Sequence, residues 1–388
     1  MSLSDLVRQS GLDCPLQIPG SSPRMTLSAP AEVALAGATF ILFFFMKKNF
    51  LFLSLILSII LSSCSQRKCS ESFTAMNTFM TINLYSTSAK KGQAACKEIK
   101  ERIEELEGIF STTLPSSDIY HINHNSRFPQ VLKPDLEKIL EFSTLMYDKT
   151  EGAFNPALYP LIREWGFTQE EYKVPSDSLI KKLLANTDFS LISKAGFSAG
   201  KEIPEGMELD FGAVGKGYAA DQALAILEKN GISSALLDFG GNIQTLGKKP
   251  DGSLWRVGIK NPWTGQAACA LSVESKAIVT SGGYERYFED EKGKRYIHIF
   301  DPKTGCPCEG DLESVTIISS KGSYADCLST ALFVMGKSAA IDWWKANPDF
   351  DFVLITKNKE VIYSQGLKGF IDFLYPFESL EMVEQVKQ

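Results

Sequence analysis

Residues 208–221 read E-L-D-F-G-A-V-G-K-G-Y-A-A-D and run directly into a helical pattern. Gly212, Gly215 and Gly217 let the backbone bend tightly and approach a ligand, and Lys216 lies between the last two of them. Backbone N–H groups in a glycine turn that opens a helix attract anions, and a neighbouring ammonium adds positive charge. The stretch therefore favours a phosphate ligand. The alternative is a turn whose glycines only permit close packing.

This stretch differs from the common glycine-rich phosphate-binding motifs. A P-loop has a longer glycine spacing and a Ser or Thr after its lysine, whereas here two residues separate Gly212 from Gly215, and Gly217 follows Lys216. The glycine order of the dinucleotide-binding fingerprint is also different. The stretch therefore belongs to neither of these classes.

The composition is that of a globular protein. The chain has 388 residues, of which 44% are hydrophobic, and a formal net charge of −6. This length allows one large domain or two ordinary ones. The acidic balance argues against nucleic acid as a partner, because binding to a phosphate backbone needs an excess of positive charge.

The N-terminal region predicts export. Residues 46–48 include two lysines, residues 50–61 form a largely apolar run of twelve residues, and L-S-S-C follows at 61–64. The run is too short to span a bilayer comfortably, so it predicts a signal peptide, and L-S-S-C resembles a bacterial lipobox. We expect Cys64 to be acylated and to anchor the mature protein to a bacterial membrane, facing the periplasm. A short transmembrane anchor is the alternative.

These signals suggest how the chain is divided. Residues 1–45 precede the signal and are interpreted as an upstream extension, so residues 1–63 are left out of the folded domain. Residues 64–72 are polar and predict a tether at the membrane. Residues 73–388 are expected to form the folded domain, with a small subdomain or surface insertion at 168–205.

Hydrophobic periodicity predicts several long helices and many short strands. Apolar residues recur every three or four positions at 89–110, and the segment after the glycine turn is also helical in pattern. Short runs rich in Val, Ile and aromatic residues follow, separated by turn signals. The predicted helices cover 89–110, 134–149, 216–230 and 323–336, and the predicted strands cover 73–86, 234–238, 255–260, 270–274, 277–281, 295–300 and 314–319. This order predicts an α+β fold with a largely antiparallel sheet and long packed helices.

The histidines and cysteines argue against a zinc site. His121 and His124 are three residues apart, but they lack the acid of a zinc-binding helix and an obvious third ligand, which favours a surface pair. Cys306 and Cys308 are too close for the usual C-x-x-C pair. Unpaired cysteines or a disulfide is the preferred interpretation of these two thiols.

Asp326 and Thr330 lie four residues apart in a predicted helix, so their side chains share one face of it. A carboxylate and a hydroxyl are hard oxygen donors, which suits a Mg²⁺ ion that bridges to substrate phosphates. The alternative is a capping box, in which Ser323 and Asp326 serve only the backbone at the start of the helix. From these residues alone, the cap is the simpler interpretation.

His298 lies in a predicted strand beside Ile297 and Ile299, so its side chain is expected to point to one defined face. An isolated histidine in a strand most often has a structural role. Beside a phosphate site it could instead take a proton from a hydroxyl group.

Seven short motifs follow one another along the chain. They are M-N-T at 76–78, A-F-N-P at 153–156, L-D-F-G-A-V-G-K-G-Y-A-A-D at 209–221, D-F-G-G-N at 238–242, S-G-G-Y-E-R-Y-F at 281–288, H-I-F-D-P-K-T-G at 298–305 and A-D-C-L-S-T-A at 325–331. This ordered set, with the lipoprotein leader, resembles the ApbE family, the FAD:protein FMN transferases. The resemblance extends from about Met76 to at least Gly336.

The resemblance implies an ApbE-like architecture, related to the T-fold, and a group-transfer reaction. FAD would be split at its diphosphate, FMN would pass to a Thr or Ser hydroxyl of an acceptor protein, and AMP would leave. The acceptors that the family suggests are subunits of membrane respiratory complexes that carry covalent FMN. Mg²⁺ is the implied cofactor, and FAD is a substrate.

The resemblance also assigns roles to individual residues. The Mg²⁺ ligands would be the carbonyl oxygen of Ala213 and the side chains of Asp326 and Thr330. His298 would be the base, and Lys216 would neutralise phosphate charge. The residues expected to contact the flavin nucleotide are Met76, Ala153, Phe154, Asn155, Asp210, Lys216 and Ile299.

Two positions depart from the family pattern. Thr113 stands where relatives often have an aromatic residue, which puts one stacking contact in doubt. Asn155 stands where many relatives have Asp, which removes a negative charge from the pocket.

Three other functions compete with this interpretation. An FAD pyrophosphatase would use the same site with water in place of the acceptor hydroxyl, and a non-catalytic flavin-binding lipoprotein would store or deliver the cofactor. A solute-binding lipoprotein without flavin is disfavoured, because it leaves Lys216 and the pair of Asp326 and Thr330 without a purpose.

Overall fold

A computed structural model describes residues 66–385 of the chain. The predicted signal peptide, Cys64 and the segment at 1–45 lie outside these residues. Within the described part, no helix is both long enough and apolar enough to cross a membrane.

Helices dominate the first part of the described chain after an initial hairpin, and strands dominate the second part. The helices are α1 (Ala89–Phe110), α2 (Asp118–Asn125), α3 (Pro134–Lys149), α4 (Tyr159–Glu164), α5 (Asp177–Leu184), α6 (Ser190–Ser193), α7 (Gly215–Lys229), α8 (Gly322–Met335) and α9 (Lys337–Ala346). The strands are β1 (Arg67–Ala75), β2 (Thr78–Ser86), β3 (Ser234–Phe239), β4 (Asn242–Leu246), β5 (Trp255–Lys260), β6 (Ala267–Val273), β7 (Ala277–Gly282), β8 (Tyr287–Glu289), β9 (Arg295–Ile297), β10 (Phe300–Asp301), β11 (Cys306–Pro307), β12 (Leu312–Ser319), β13 (Asp351–Thr356), β14 (Glu360–Ser364), β15 (Ile371–Phe373) and β16 (Ser379–Val383). All four predicted helices are confirmed, those at 89–110 and 134–149 with the predicted bounds.

The centre of the fold is a sheet with the strand order β1-β2-β3-β4-β7-β12-β13-β14-β16. Its pairings are antiparallel apart from that of β14 with β16, which is parallel. A smaller antiparallel sheet has the order β15-β6-β5. The predicted α+β fold with a largely antiparallel sheet is confirmed.

The large sheet is covered on both faces. Helices α1, α7 and α8 pack on one face, where sheet residues such as Leu237 and Ile317 join the main core. The small sheet covers the opposite face around Trp255 and Leu271. Adjacent residues of a strand point to opposite faces, so Ile317 faces the helices while Ile318 faces the small sheet.

The predicted single strand at 73–86 is wrong, because β1 and β2 form a hairpin. Its turn is made by Met76 and Asn77, which have φ angles of 49° and 55°. Positive φ is uncommon for a residue such as methionine, so the sequence carries no clear turn signal here. The tether predicted at 64–72 is also wrong from residue 67 onward, since these polar residues form an edge strand whose Phe73 packs in the core.

The segment 168–205 contains α5 and α6 and is not wholly at the surface. Phe189 and Ile192 are buried in the main core. Ile180 of α5 joins a separate aromatic cluster that includes Phe300. Part of this segment therefore packs together with the rest of the described domain.

Candidate active site

The site is built where α7 and α8 begin side by side. A Cβ atom on Gly217 would lie 2.2 Å from the carbonyl oxygen of Gly322, and one on Gly322 would lie 2.6 Å from the carbonyl oxygen of Gly217. Side chains do not approach backbone atoms this closely, so both positions require glycine. Close packing is therefore confirmed as one role of Gly217, and it leaves the phosphate interpretation of the same turn open.

A carboxylate from each helix binds the start of the other helix. The N–H of Gly217 lies in the first turn of α7, has no acceptor within its helix, and donates to Oδ2 of Asp326 at 2.8 Å. Asp221 accepts from the N–H groups of Gly322 (2.7 Å) and Ser323 (3.0 Å), and from the Ser323 hydroxyl (2.7 Å). The capping-box interpretation is therefore wrong, because Asp221 caps α8 and Asp326 bonds to α7.

Asp326 is a buried carboxyl group with unused hydrogen-bond acceptor sites. Only 4% of the residue is exposed, and a single hydrogen bond from the described residues ends on its side chain. Burial raises the pKa of Asp326, while the charge of Lys216 and the N–H of Gly217 oppose that rise. A buried carboxyl with so little pairing favours binding of a proton or a cation.

Two further oxygen atoms belong to the predicted metal site. Thr330 follows Asp326 by one turn of α8, and its hydroxyl lies 3.2 Å from that of Ser281 on β7. The carbonyl oxygen of Ala213, in the turn before α7, accepts no hydrogen bond from the described residues. A carboxylate, a hydroxyl and a free carbonyl are all hard donors, so the residues present fit Mg²⁺. Their role as ligands stays a prediction.

The two paired histidines and the cysteines of C-P-C form no metal cluster in the described part of the chain. Residues 66–385 contain no cluster of three or more His, Cys, Asp or Glu side chains that could hold a metal ion. His121 and His124 are exposed on α2, where the ring of His124 stacks on Tyr120 with 3.8 Å between centroids. Cys306 and Cys308 are free thiols.

Lys216 lies among the charged groups of the site. Its ammonium donates to the carbonyl oxygen of Gly212 at 3.2 Å, which directs the side chain back over the glycine turn. Burial raises the pKa of Asp210 as well as that of Asp326, and the charge of Lys216 opposes the rise in both. The same charge adds to the effect of burial in lowering the pKa of His298. One ammonium group is therefore within electrostatic range of two acids and the predicted base.

His298 lies in the bend between β9 and β10, so the predicted strand at 295–300 is interrupted. Its backbone N–H and its Nδ1 both lie 3.1 Å from the carbonyl oxygen of Arg286. A carbonyl oxygen only accepts, so this contact assigns the proton to Nδ1 and leaves a free lone pair on Nε2. Burial and the charges of Arg286 and Lys216 lower the pKa of His298 to about 4. The imidazole is therefore neutral at pH 7 and can accept a proton at Nε2.

The A-F-N-P loop is held against the glycine turn. The N–H of Asp210 donates to the carbonyl oxygen of Pro156 at 2.8 Å. The amide of Asn155 donates to the carbonyl oxygen of Thr187 at 2.9 Å and accepts from the N–H of Ala157 at 2.8 Å. An ionised Asp cannot donate, so Asn at this position ties the loop to a second segment that Asp would leave unbound.

The remaining predicted flavin contacts have different environments. Phe154 and Ile299 are buried in the main core, with 2% and 5% of their surfaces exposed. Met76 lies at the hairpin turn, and its N–H donates to Oε1 of Glu107 on α1 at 2.8 Å. Ala153 is half-buried against the main core. Their contacts to a flavin nucleotide stay predictions.

Three residues that shape this site had no role assigned to them from the sequence. Asp221 caps α8, the carbonyl of Arg286 orients His298, and Asn242 is buried close to Asp326. Arg286 and Asn242 both belong to motifs that carry the family resemblance, and that membership was the available signal. Asp221 also belongs to one of these motifs, but its role as a cap depends on partners about a hundred positions further along the chain.

The chain is similar in sequence to proteins of one known family. Residues 76–354 match the sequence model of the ApbE family. The FAD:protein FMN transferase of Treponema pallidum is 34% identical over 319 residues, which cover 78% of this chain and 88% of that protein. The FAD:protein FMN transferase of Klebsiella pneumoniae is 31% identical over 303 residues, which cover 77% of this chain and 92% of that protein.

Solved structures show the same fold. The crystal structure of the ApbE protein from Thermotoga maritima has a TM-score of 0.71 at 29% identity, and the match covers 78% of this chain and 99% of that one. The flavin transferase ApbE from Vibrio cholerae has a TM-score of 0.69 at 27% identity, covering 79% of this chain and 99% of that one.

Proposed function

This chain belongs to the ApbE family, and on that premise we propose that it is a Mg²⁺-dependent FAD:protein FMN transferase. It would move FMN from FAD to a Thr or Ser hydroxyl of an acceptor protein and release AMP. The observation that carries this proposal is the hydrogen bond between the carboxylate of Asp326 and the N–H of Gly217. This contact joins the predicted metal ligand to the predicted phosphate-binding turn.

The diphosphate of FAD would lie at the glycine turn. Phosphoryl transfer asks a protein mainly for positioning and for neutralisation of charge. The ammonium of Lys216 would supply positive charge there, whereas the N–H groups of Gly215 and Gly217 at the start of α7 are already bound within the protein. Asp326, Thr330 and the carbonyl of Ala213 would hold Mg²⁺, which as a Lewis acid would neutralise further charge on the diphosphate.

The reaction exchanges one bond for another at the phosphorus atom of FMN. The bond from that phosphorus to the bridging oxygen breaks, and AMP leaves with this oxygen. A bond forms between the same phosphorus and the acceptor hydroxyl oxygen. His298 would accept the hydroxyl proton at Nε2, and its Nδ1 contact to Arg286 keeps the ring in the required tautomer. A general base of this kind typically contributes a factor of ~10² to 10⁴.

The enzyme would work on acceptors at a membrane. The export signal at 46–61 and the L-S-S-C sequence that ends at Cys64 support a lipid anchor. An enzyme held in this way could reach periplasmic parts of membrane proteins, and the family resemblance supports subunits of respiratory complexes as acceptors.

Intact mass measurement of a candidate acceptor tests the proposal. We expect incubation with the enzyme, FAD and Mg²⁺ to add the mass of one FMN less one water, and the addition to require Mg²⁺. Cleavage of FAD to FMN and AMP without a gain in acceptor mass would instead indicate a pyrophosphatase. Retention of intact FAD in the presence of Mg²⁺ would indicate a non-catalytic flavin-binding protein.

A further inference from the structure

Asn242 is a buried amide without hydrogen bonds. It is 1% exposed, and neither Oδ1 nor Nδ2 of its side chain has a hydrogen-bond partner among the described residues. Buried polar side chains are normally paired, and each exception calls for an explanation. A group that the fold leaves unpaired is a candidate for a role that begins when something binds.

The strand register places Asn242 beneath the starts of α7 and α8. Asn242 opens β4 and pairs with Val279 on β7, and residues directly opposite each other in a sheet point to the same face. Val279 belongs to the main core on the helix side, so Asn242 also faces the helices. Two residues beyond Val279, Ser281 lies on that same face and contacts Thr330. Asn242 is therefore on the side of the sheet that carries the predicted metal ligands.

The tight turn before Asn242 fixes where this residue lies along β4. Gly240 and Gly241 have φ angles of 68° and 84°, and the N–H of Gly241 donates to Oδ1 of Asp238 at 2.9 Å. A Cβ on Gly240 would lie 2.1 Å from the hydroxyl of Thr78. The D-F-G-G-N motif therefore forms a constrained turn that places Asn242 at the start of β4.

Asn242 lies close to Asp326, because α8 packs against β4. The side-chain amide of Asn242 is near enough to act as a donor that opposes the rise in the pKa of Asp326, yet the two groups do not meet the geometry of a full hydrogen bond. An ionised carboxylate only accepts hydrogen bonds, so a contact between these side chains must use the Nδ2–H of Asn242. Among the described residues, the N–H of Gly217 makes the full hydrogen bond to Asp326, at 2.8 Å.

We propose that Asn242 is a positioning residue of the divalent-metal site, which holds the carboxylate of Asp326 through its side-chain N–H when the metal ion is bound. This inference rests on the proposed function, because it assumes that Asp326 is a metal ligand. Residues that orient a ligand in this way affect metal affinity without touching the ion. Asn242 would share this task with Gly217, so the carboxylate would be held by one main-chain and one side-chain donor.

The test compares Asn242→Leu and Asn242→Asp with the matched control Gln244→Leu. Gln244 lies on the same strand and face, is also 1% exposed, and pairs with Ala277, away from Ser281 and Thr330. The affinity for Mn²⁺ would be measured by electron paramagnetic resonance on the FAD-free protein. Thermal unfolding would be followed with and without Mn²⁺.

We expect Asn242→Leu to bind Mn²⁺ ~10- to 100-fold more weakly than the wild type, while Gln244→Leu keeps its affinity. Asn242→Asp should also bind weakly, because it has no N–H and places a second negative charge beside Asp326. The metal-free Asn242→Leu protein should unfold at or above the wild-type temperature, since an apolar residue of similar shape replaces an unpaired amide.

Three results from the variants would overturn the proposal. Wild-type affinity in Asn242→Leu would show that the amide does not act on the metal site. Wild-type affinity in Asn242→Asp would assign the role to the oxygen atom, and a lower unfolding temperature of metal-free Asn242→Leu would make the amide a structural element. If the wild type itself binds no Mn²⁺, the metal assignment in the proposed function fails first and this inference fails with it.

Discussion

The starts of α7 and α8 look alike, yet the two carboxylates that bind them differ in one respect. Asp221 accepts three hydrogen bonds from the start of α8, whereas Asp326 accepts one from the start of α7, within the part of the chain that the structure describes. Asp221 is paired with three donors and has the character of a structural cap. Asp326 keeps acceptor capacity in a buried position, which is what a metal ligand requires.

This difference shows how the fold can place a reactive carboxylate without neutralising it. Contact between Gly217 and Gly322 brings the two helix starts together, and no side chain is needed at the crossing point. Asp221 then fixes α8, so that Asp326 has to use only one of its own acceptor sites. The structural carboxylate therefore allows the other one to remain available.

Removing the charge of Asp326 should have the largest effect. Asp326→Asn keeps the size of the side chain and an acceptor for the N–H of Gly217. We expect FMN transfer to fall about 10⁴-fold, because charge stabilisation by a metal is worth several kcal/mol. The matched variant Asp221→Asn should transfer FMN at nearly the wild-type rate. Normal transfer by Asp326→Asn, measured by acceptor mass at saturating Mg²⁺, would contradict the metal assignment.

Loss of the predicted base should rank second. We expect His298→Ala to lower the rate of transfer by ~10²- to 10⁴-fold and the exposed control His124→Ala to leave it unchanged. The pKa of His298 is lowered to about 4, so the wild-type rate should hold through neutral pH and fall as the pH drops toward 4. The sign follows because protonated His298 cannot accept the hydroxyl proton. A single-turnover pH profile whose acidic limb lies at the ordinary histidine pKa would contradict this geometry.

A methyl group at the helix crossing should have a smaller effect, and it should appear in stability. Gly217→Ala would place Cβ 2.2 Å from the carbonyl oxygen of Gly322 and 2.8 Å from Cβ of Asp326. We expect a loss of ~1 to 3 kcal/mol in the free energy of unfolding, typical of overpacking. Gly108→Ala on α1 is the control, because nothing lies within 4 Å of its Cβ. Urea unfolding measures both, and equal stabilities of the two variants would show that the crossing tolerates a side chain.

Many of the helices could be predicted from the sequence, because hydrophobic periodicity and helix breaks are local signals. The helices at 89–110 and 134–149 have the predicted bounds, since apolar residues repeat at the helical period between clear breaks. The same periodicity placed Asp326 and Thr330 on one face of α8. The hairpin at Met76 was not predicted, because a turn of Met and Asn with positive φ has no strong local signature.

The hydrogen bonds of the site could not be predicted, because the residues that they join are distant in the chain. The spacing of Ser323 and Asp326 fits a capping box, and nothing local to α8 reveals that Asp221 takes that place. The unpaired amide of Asn242 is likewise invisible in a sequence, since burial and pairing depend on the whole fold. Motif membership marked these residues, but only the contacts distinguish a cap from a candidate ligand.

The smallest effect should come from substitution of Asp221. It tests whether this carboxylate is a helix cap and not part of the metal site. Asp221→Ala leaves the N–H groups of Gly322 and Ser323 without their acceptor, so the free energy of unfolding should fall by ~0.5 to 2 kcal/mol, as for loss of a helix cap. Asp221→Asn can still accept and should lose less. Because Asp221 raises the pKa of Asp326, its removal should not weaken Mn²⁺ binding by the folded protein. Lower stability with intact Mn²⁺ affinity would establish Asp221 as a cap, whereas lost affinity at unchanged stability would make both carboxylates part of the metal site.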